Sequence, residues 1–202
     1  MPIPGFDNER LRRQVDFILE IDREKLIERR TVLTGHGRRD NDAEHAWHMA
    51  VMAWLLREYA NEPFDLARTM MMCLIHDLVE IDAGDTYAYD IEGLKTQAER
   101  EARAAARIFG LLPEDQGGEL KGLFEEFEAN ETPEARFAHA MDNVQPTLLN
   151  GANEGVPWRE AHVSRGMIMR RQASTRPGSE ALFRAVEQLV QAHVDAGNIL
   201  DK

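Results

Sequence analysis

The sequence predicts an all-α protein that folds as one domain. Apolar residues recur at the three- and four-residue spacing of helices along most of the chain, and no segment has the alternation of a half-buried strand. Residues suited to helix caps and turns separate the periodic segments. The 202 residues can build one sizeable core and are few for two domains, so we expect a single domain over residues 1–202.

The composition excludes several classes of function. A net charge of -12 disfavours binding to a nucleic-acid polymer, because no broad basic surface would replace the counterions of the backbone. No run approaches the about 20 apolar residues of a membrane span, and the first six residues lack the pattern of a signal peptide. Cys73, as the single cysteine, allows no intrachain disulfide and is expected in the core. These features together predict a cytoplasmic protein.

The first predicted helix covers residues 7 to about 29, where apolar residues recur at helical spacing. An interruption is expected near Ile21-Asp22. Residues 31–40 contain two glycines and no sustained period, so they are predicted to form a loop, with His36 on the surface.

The second helix is expected to begin after a cap at Asn41 or Asp42 and to run through residue 56. Its nearly continuous apolar character predicts burial on most sides, with Trp47 and Trp54 in the core. Asp65 is a suitable cap for a third helix over residues 66–79.

The rest of the chain predicts one acidic and aromatic loop, at residues 81–90, followed by further helices. These helices are expected at residues 95–109, after Pro113, from a cap at Thr132 to about residue 144, at residues 158–171 and at residues 179–196.

The stretch LIHDLVE at residues 74–80 is the main candidate for a functional site. A neighbouring histidine and aspartate in an apolar run are costly to bury unless they bind something. In a helix Glu80 would follow His76 by four residues and Asp77 by three, so the three side chains could converge. A metal ion is the simplest ligand for such a group.

Aligning the predicted helices gives His45, His76, Asp77 and Asp142 as four candidate metal ligands from three helices. Imidazole nitrogen combined with carboxylate oxygen suits one divalent ion such as Mn, Co, Fe, Ni or Zn, with Mg less favoured. No thiolate is among these ligands, which favours an open site with exchangeable water over a closed structural one. Such a site is suited to hydrolysis.

Three segments carry a family resemblance: NDAEHAWHMAVMAWLL, LIHDLVEIDAGDT and AHAMDNVQPTLLN. Together they resemble the HD-domain phosphohydrolases, and within them the group similar to bacterial 5'-deoxynucleotidases. The resemblance implies an HD-type helical bundle with a metal site between central helices. It also implies a core at about residues 25–150, on which the C-terminal helices pack, and the ligand set His45, His76, Asp77 and Asp142.

The resemblance also implies roles for nearby residues. Glu80 would orient or deprotonate the attacking water, and Asp85 would help to hold that water or a sugar hydroxyl. Arg29 best matches the arginine that grips phosphate, with Arg30 as a near rival. The characterised deoxynucleotidases have an aromatic residue after that arginine, and this chain departs from them with Arg30.

Other roles remain open for three of these side chains. Glu80 could instead pair with an arginine, and Asp85 could serve the turn after Gly84. His48 could be a ligand, although packing or hydrogen bonding behind the ligands is favoured. His139 is interpreted as structural.

The function implied is a metal-dependent phosphomonoesterase, a 5'-nucleotidase that acts on (deoxy)nucleoside 5'-monophosphates and forms a homodimer. One alternative is hydrolysis of another phosphate ester, such as a cyclic nucleotide or a nucleoside triphosphate. A second alternative is a module that binds metal and nucleotide without turnover.

Overall fold

The computed structural model describes residues 6–35 and 37–201. His36, which was expected on the surface, and residues 1–5 lie outside the described residues. The fold is dominated by helices, as the sequence predicts. In chain order they are α1 (Glu9–Ile21), α2 (Asp42–Leu56), α3 (Leu66–Ile75), α4 (Glu80–Ala83), α5 (Ile91–Phe109), α6 (Glu114–Ala129), α7 (Pro133–Ala152), α8 (Val156–Glu160), α9 (Arg165–Gln172), α10 (Thr175–Gly178) and α11 (Glu180–Asp195).

A small β-hairpin follows α1, where the sequence predicted the end of a helix and then a loop. The helix ends at Ile21, where an interruption was expected, and does not resume to residue 29, because a 3₁₀ turn covers Asp22–Leu26 and a strand follows. Strand β1 (Glu28–Val32) then pairs antiparallel with β2 (Arg39–Asn41). The short, charged strands have no apolar alternation, which explains why the pattern did not predict them.

Local capping sets the starts of the central helices. The side chain of Asn41 accepts a hydrogen bond from the Glu44 amide, and that of Asp65 accepts one from the Arg68 amide. The predicted start points of α2 and α3 are therefore confirmed.

The predicted burial of α2 on most sides is wrong. Trp47 and Trp54 are 62% and 51% exposed, whereas Met49 on another side of the helix is fully buried. The apolar residues of α2 therefore serve both the core and an outer surface.

The third helix ends four residues before the predicted boundary, at Ile75. Residues His76–Val79 form a 3₁₀ turn, and the four-residue helix α4 follows. At Gly84 the backbone has a φ of 74°, which favours glycine, and the chain then enters the loop that leads to α5. The His-Asp pair consequently lies at the end of a helix and not within it.

The C-terminal part differs from the sequence prediction in three places. Helix α7 runs to Ala152, beyond the end expected near residue 144, and the short helix α10 was not predicted. The helix expected at residues 158–171 is two helices, α8 and α9, separated near His162, where φ is 52°. Helix α11 begins after its Ser179 cap, as expected. Helices α10 and α11 pack against α7, and the contact with α10 is so close that a Cβ at Gly178 would collide with the carbonyl of Arg136.

Helices α2, α3 and α7 pack against one another at the centre of the fold. Met49, Met72 and Met141, one from each helix, are fully buried there. Cys73 is also fully buried, and this burial raises the pKa of its thiol. Among the described residues, no helix combines the length and apolar character needed to cross a membrane.

Candidate metal centre

The four side chains that the sequence selects as metal ligands lie together at the junction of α2, α3 and α7. His45 Nε2 is 3.2 Å from Asp142 Oδ1 and 3.9 Å from Asp77 Oδ2. His76 Nε2 is 3.1 Å from Asp77 Oδ1 and 4.0 Å from Asp142 Oδ1. All four residues are buried. Each of the two histidine nitrogens thus lies within 4.0 Å of both carboxylates.

The protein orients both imidazole rings through their Nδ1 atoms. His76 Nδ1 lies 3.0 Å from the Cys73 carbonyl oxygen, which can only accept a hydrogen bond. His45 Nδ1 lies 3.0 Å from Gln145 Oε1, and the amide of Gln145 is fixed because its Nε2 donates to Asp40 Oδ2. Each Nδ1 therefore carries a proton, so Nε2 is the atom that both rings direct at the site.

This arrangement fits a divalent metal ion. One donor atom from each of His45, His76 and Asp142 lies within 4.8 Å of the others. The buried His76 Nε2 has no hydrogen-bond partner within the described residues, although Asp77 Oδ1 is near. A buried acceptor of this kind is normally satisfied by a proton or an ion. Mixed nitrogen and oxygen donors favour a transition metal.

A second group of carboxylates adjoins this set. Asp42, Asp77 and Glu80 offer oxygens within 4.8 Å of one another. Arg29 Nη1 donates to Asp42 Oδ1 at 2.9 Å and to Asp77 Oδ2 at 2.7 Å, and its side chain is only 13% exposed. Arg29 is therefore adjacent to the predicted metal ligands, where it partly balances the buried negative charge.

Burial and mutual repulsion control the protonation of these groups. Burial raises the pKa of Glu80 well above its ordinary value, and the charges of Asp77 and Asp42 raise it further. Burial opposes the ionisation of His76, but the neighbouring Asp77 outweighs it and raises the pKa to about 9. Burial likewise opposes the ionisation of Asp77, yet His76 and Arg29 lower its pKa. Asp77 therefore stabilises a positive charge at His76 Nε2, and a divalent cation bound there would take the place of the proton.

A cavity of about 450 Å³ opens beside these residues. Its volume is within the range of small-molecule sites. Besides His76, Asp77, Glu80 and Asp142, its lining includes Asp85, Tyr87, Tyr89, Asn143, Arg30 and Arg171.

The loop between α4 and α5 forms one wall of the cavity. Arg100 holds this loop by donating to the Ala83 carbonyl and, at 2.7 Å, to Thr86 Oγ1. Arg30 lies over the ring of Tyr87, with its guanidinium carbon 5.1 Å from the ring centroid. The residue after Arg29 is therefore an arginine, Arg30, but the loop places the aromatic ring of Tyr87 beside that arginine.

The structure also adds residues that the sequence reasoning did not place in the site. Asp42 was considered only as a helix cap, and Gln145, three residues after Asp142, could have been noticed from that spacing. Arg171 Nη2 lies 2.5 Å from Asp142 Oδ2, and no local pattern indicated that contact.

Two other histidines have defined positions. His48 Nδ1 accepts a hydrogen bond from Gln145 Nε2 at 3.2 Å, which places it behind His45. His139 stacks on Phe127 and bonds to its carbonyl oxygen.

Comparison with known proteins identifies the fold. The family model described as HD domain matches residues 21–183. The chain belongs to the HD-domain family. A predicted metal-dependent phosphohydrolase from Magnetospirillum magnetotacticum has a similar structure, with a TM-score of 0.92 and 45% identity over 98% of this HD-domain chain and 100% of the other.

Among curated proteins, this HD-domain chain is similar to 5'-deoxynucleotidase HDDC2 of Homo sapiens, with 32% identity over 111 residues. That match covers 55% of this chain and 53% of the human protein, so it spans about half the length of that relative. The protein of the same name from Danio rerio is 24% identical over 155 residues, which is 77% of this chain and 76% of that relative. The family resemblance predicted from the three sequence segments is confirmed.

Proposed function

We propose that this protein is a divalent-metal-dependent phosphomonoesterase that releases phosphate from nucleoside 5'-monophosphates, including the deoxy forms. The observation that carries the proposal is the convergence of His45, His76, Asp77 and Asp142 at one end of a nucleotide-sized cavity. The names of the Magnetospirillum and human relatives support the same reaction class.

In this proposal His45, His76, Asp77 and Asp142 hold one divalent ion of the Mn, Co, Fe, Ni or Zn type. A bound ion of this type would supply Lewis acidity toward a phosphoryl oxygen and toward water. Gln145 keeps the His45 ring in the orientation that directs Nε2 at the ion.

The other residues handle the proton and the phosphate. Glu80 Oε2 is buried and has no hydrogen-bond partner within residues 6–35 and 37–201. A bound cation would favour the ionised form of Glu80, and its raised pKa makes that carboxylate a stronger base toward the attacking water. Asp85 lines the cavity and would hold that water or a sugar hydroxyl. The Nε of Arg29 is also buried without a partner among the same residues, and it could donate to a phosphate oxygen.

The direct test is phosphate release from a panel of ribo- and deoxynucleoside 5'-monophosphates, with Mn, Co, Mg and Zn supplied in turn. We expect release with at least one transition metal and none after chelation. Cyclic nucleotides and nucleoside triphosphates belong in the same panel. Hydrolysis of those esters alone, or metal and nucleotide binding with no hydrolysis, would contradict the proposal.

Substitution of Gln145 by Leu tests how the metal site is supported. The leucine removes the acceptor that fixes His45 Nδ1, and outer partners of metal ligands typically contribute about 10- to 100-fold in metal affinity. We expect a loss of Mn affinity in that range, measured by calorimetry. His48→Gln, at the far side of the same amide, should change the affinity less. Unchanged affinity in Gln145→Leu would mean that His45 needs no such support.

We also propose that the protein forms a homodimer through the outer surface of α2. Trp47, Val51 and Trp54 are exposed along one stripe of this helix, at spacings of four and three residues. Met71 and Leu74, on the neighbouring α3, are also about 40% exposed. Large exposed apolar surfaces of this kind mark protein interfaces, and a second copy of the chain would cover both.

The double variant Trp47→Glu/Trp54→Glu tests this interface. We expect it to sediment as a monomer, because the glutamates would place unpaired like charges in an apolar interface. Leu200→Glu, at a leucine that is 51% exposed on a different part of the chain, should leave the dimer intact. A wild-type protein that is monomeric at micromolar concentration would refute the assembly.

We propose that the protein works in the cytoplasm. Its single cysteine allows no intrachain disulfide, which is compatible with a reducing compartment.

A further inference from the structure

Arg171 is a cationic side chain of the cavity for which neither the sequence nor the proposed reaction yet provides a role, and it is the one that contacts a predicted metal ligand among the two such arginines, Arg39 and Arg171, of the described lining. It lies on α9, and its side chain is 42% exposed and lines the cavity. Its Nη2 donates to Asp142 Oδ2 at 2.5 Å, whereas Asp142 Oδ1 faces His45. One carboxylate therefore presents one oxygen to the metal site and the other to Arg171.

The backbone that carries Arg171 is held firmly against α7. The next residue, Gln172, is buried, and its Nε2 donates to the Asn143 carbonyl at 2.8 Å and to Thr147 Oγ1 at 2.9 Å. Thr175 Oγ1 in turn donates to Gln172 Oε1 at 2.8 Å. These bonds fix the end of α9 beside Asp142, and the hydrogen bond to Asp142 holds the guanidinium of Arg171 there.

Most of the hydrogen-bonding capacity of Arg171 remains available. A guanidinium has five N–H donors, and within the part of the chain that the structure describes only the bond to Asp142 uses one of them. Arg29, by contrast, is 13% exposed, and its Nη1 is engaged by both Asp42 and Asp77. Arg171 is thus an accessible, incompletely paired cation immediately beside the predicted metal ligands.

We propose that Arg171 binds the phosphate of the substrate from the Asp142 side of the metal site, while Arg29 flanks the Asp77 side. This inference rests on the proposed function, because it names a further group that contacts the same substrate. Planar guanidinium groups bind phosphate through paired hydrogen bonds, and a preoriented donor stabilises the charge that develops during phosphoryl transfer. An arginine that only neutralised Asp142 would not need to be exposed to the cavity.

The test compares Arg171→Ala with Arg170→Ala, because Arg170 is the exposed neighbour and does not belong to the cavity lining of the described residues. The first measurement is the affinity of the Mn-loaded protein for inorganic phosphate, by calorimetry. We expect Arg171→Ala to bind phosphate about 10- to 100-fold more weakly, as for loss of a charge-assisted hydrogen bond. Arg170→Ala should match the wild type, and Arg171→Lys should be intermediate.

The second measurement is Mn affinity, which separates phosphate binding from support of the metal site. Removal of Arg171 takes away a positive charge beside the ion, so Mn affinity should stay the same or increase. Weaker Mn binding in Arg171→Ala would indicate that Arg171 only positions Asp142, and phosphate affinity equal to that of the wild type would also overturn the proposal.

Kinetics link this result to the proposed reaction. If the wild type hydrolyses nucleotides, Arg171→Ala should lower kcat/KM by at least about tenfold. A nucleoside, which has no phosphate, should bind to Arg171→Ala and to the wild type with the same affinity. If the wild type hydrolyses none of them, the proposed function fails, but the phosphate measurement still tests Arg171.

Discussion

Replacement of Asp77 by Asn is expected to remove metal binding and phosphate release together. Asp77 is close to both histidines of the site, and it accepts a hydrogen bond from Arg29. The asparagine keeps the size of the side chain but removes the negative charge that holds a divalent ion. Since outer partners alone contribute about 10- to 100-fold, we expect the loss of this ligand to lower Mn affinity by more than about 100-fold.

The matched control is Asp82→Asn. Asp82 lies five residues further along the chain and pairs with Arg107 away from the ligands, so Mn affinity and turnover should stay close to those of the wild type. Calorimetric titration with Mn and phosphate-release assays give the two readouts. An Asp77→Asn protein with normal turnover would disprove the ligand set proposed here.

Replacement of Glu80 by Gln is expected to separate turnover from metal binding. Glu80 lines the cavity, and its Oε2 is free of hydrogen bonds within the described parts of the chain. Glutamine preserves the shape of the neutral carboxyl group, but it cannot provide the ionised form that a bound cation would favour at Glu80, so it cannot accept the proton of the attacking water. We expect kcat to fall by about 10²- to 10⁴-fold, the usual contribution of a general base, with Mn affinity changed by less than about tenfold.

Glu24→Gln is the control for burial and charge. Glu24 is 7% exposed, close to the 6% of Glu80, but it does not belong to the cavity lining of the described residues. Burial, together with Asp77, raises the pKa of Glu24 to about 8, so glutamine mimics the form that prevails at neutral pH. The kcat of Glu24→Gln should stay within about tenfold of that of the wild type. If kcat fell equally in Glu80→Gln and Glu24→Gln, the loss would reflect the overall charge of the site and not the removal of a specific base.

Several features of this fold follow from short stretches of sequence. Asn41, Asp65 and Thr132 were predicted as helix caps, and each accepts a hydrogen bond from an amide three residues later. Such bonds are local, so the sequence is sufficient to predict them. The residue types of the His-Asp pair likewise indicated a metal site, because buried nitrogen and oxygen donors need a ligand.

Patterns along the chain were less successful where neighbouring elements decide the outcome. The apolar residues of α2 predicted burial of Trp47 and Trp54, but hydrophobicity alone does not determine which apolar side chains the neighbouring helices cover. The hairpin of β1 and β2 was missed because its strands are stabilised by pairing with each other and not by apolar alternation.

The sequence by itself determined the helical class of this protein, the starts of its central helices and the four side chains proposed to hold the metal. Only the tertiary structure decided how those side chains are supported. Gln145 meets His45 across 100 residues, Arg29 meets Asp77 across 48, and Arg171 meets Asp142 across 29. No periodic or capping signal connects such distant positions, because they become neighbours only when α2, α3, α7 and α9 pack together.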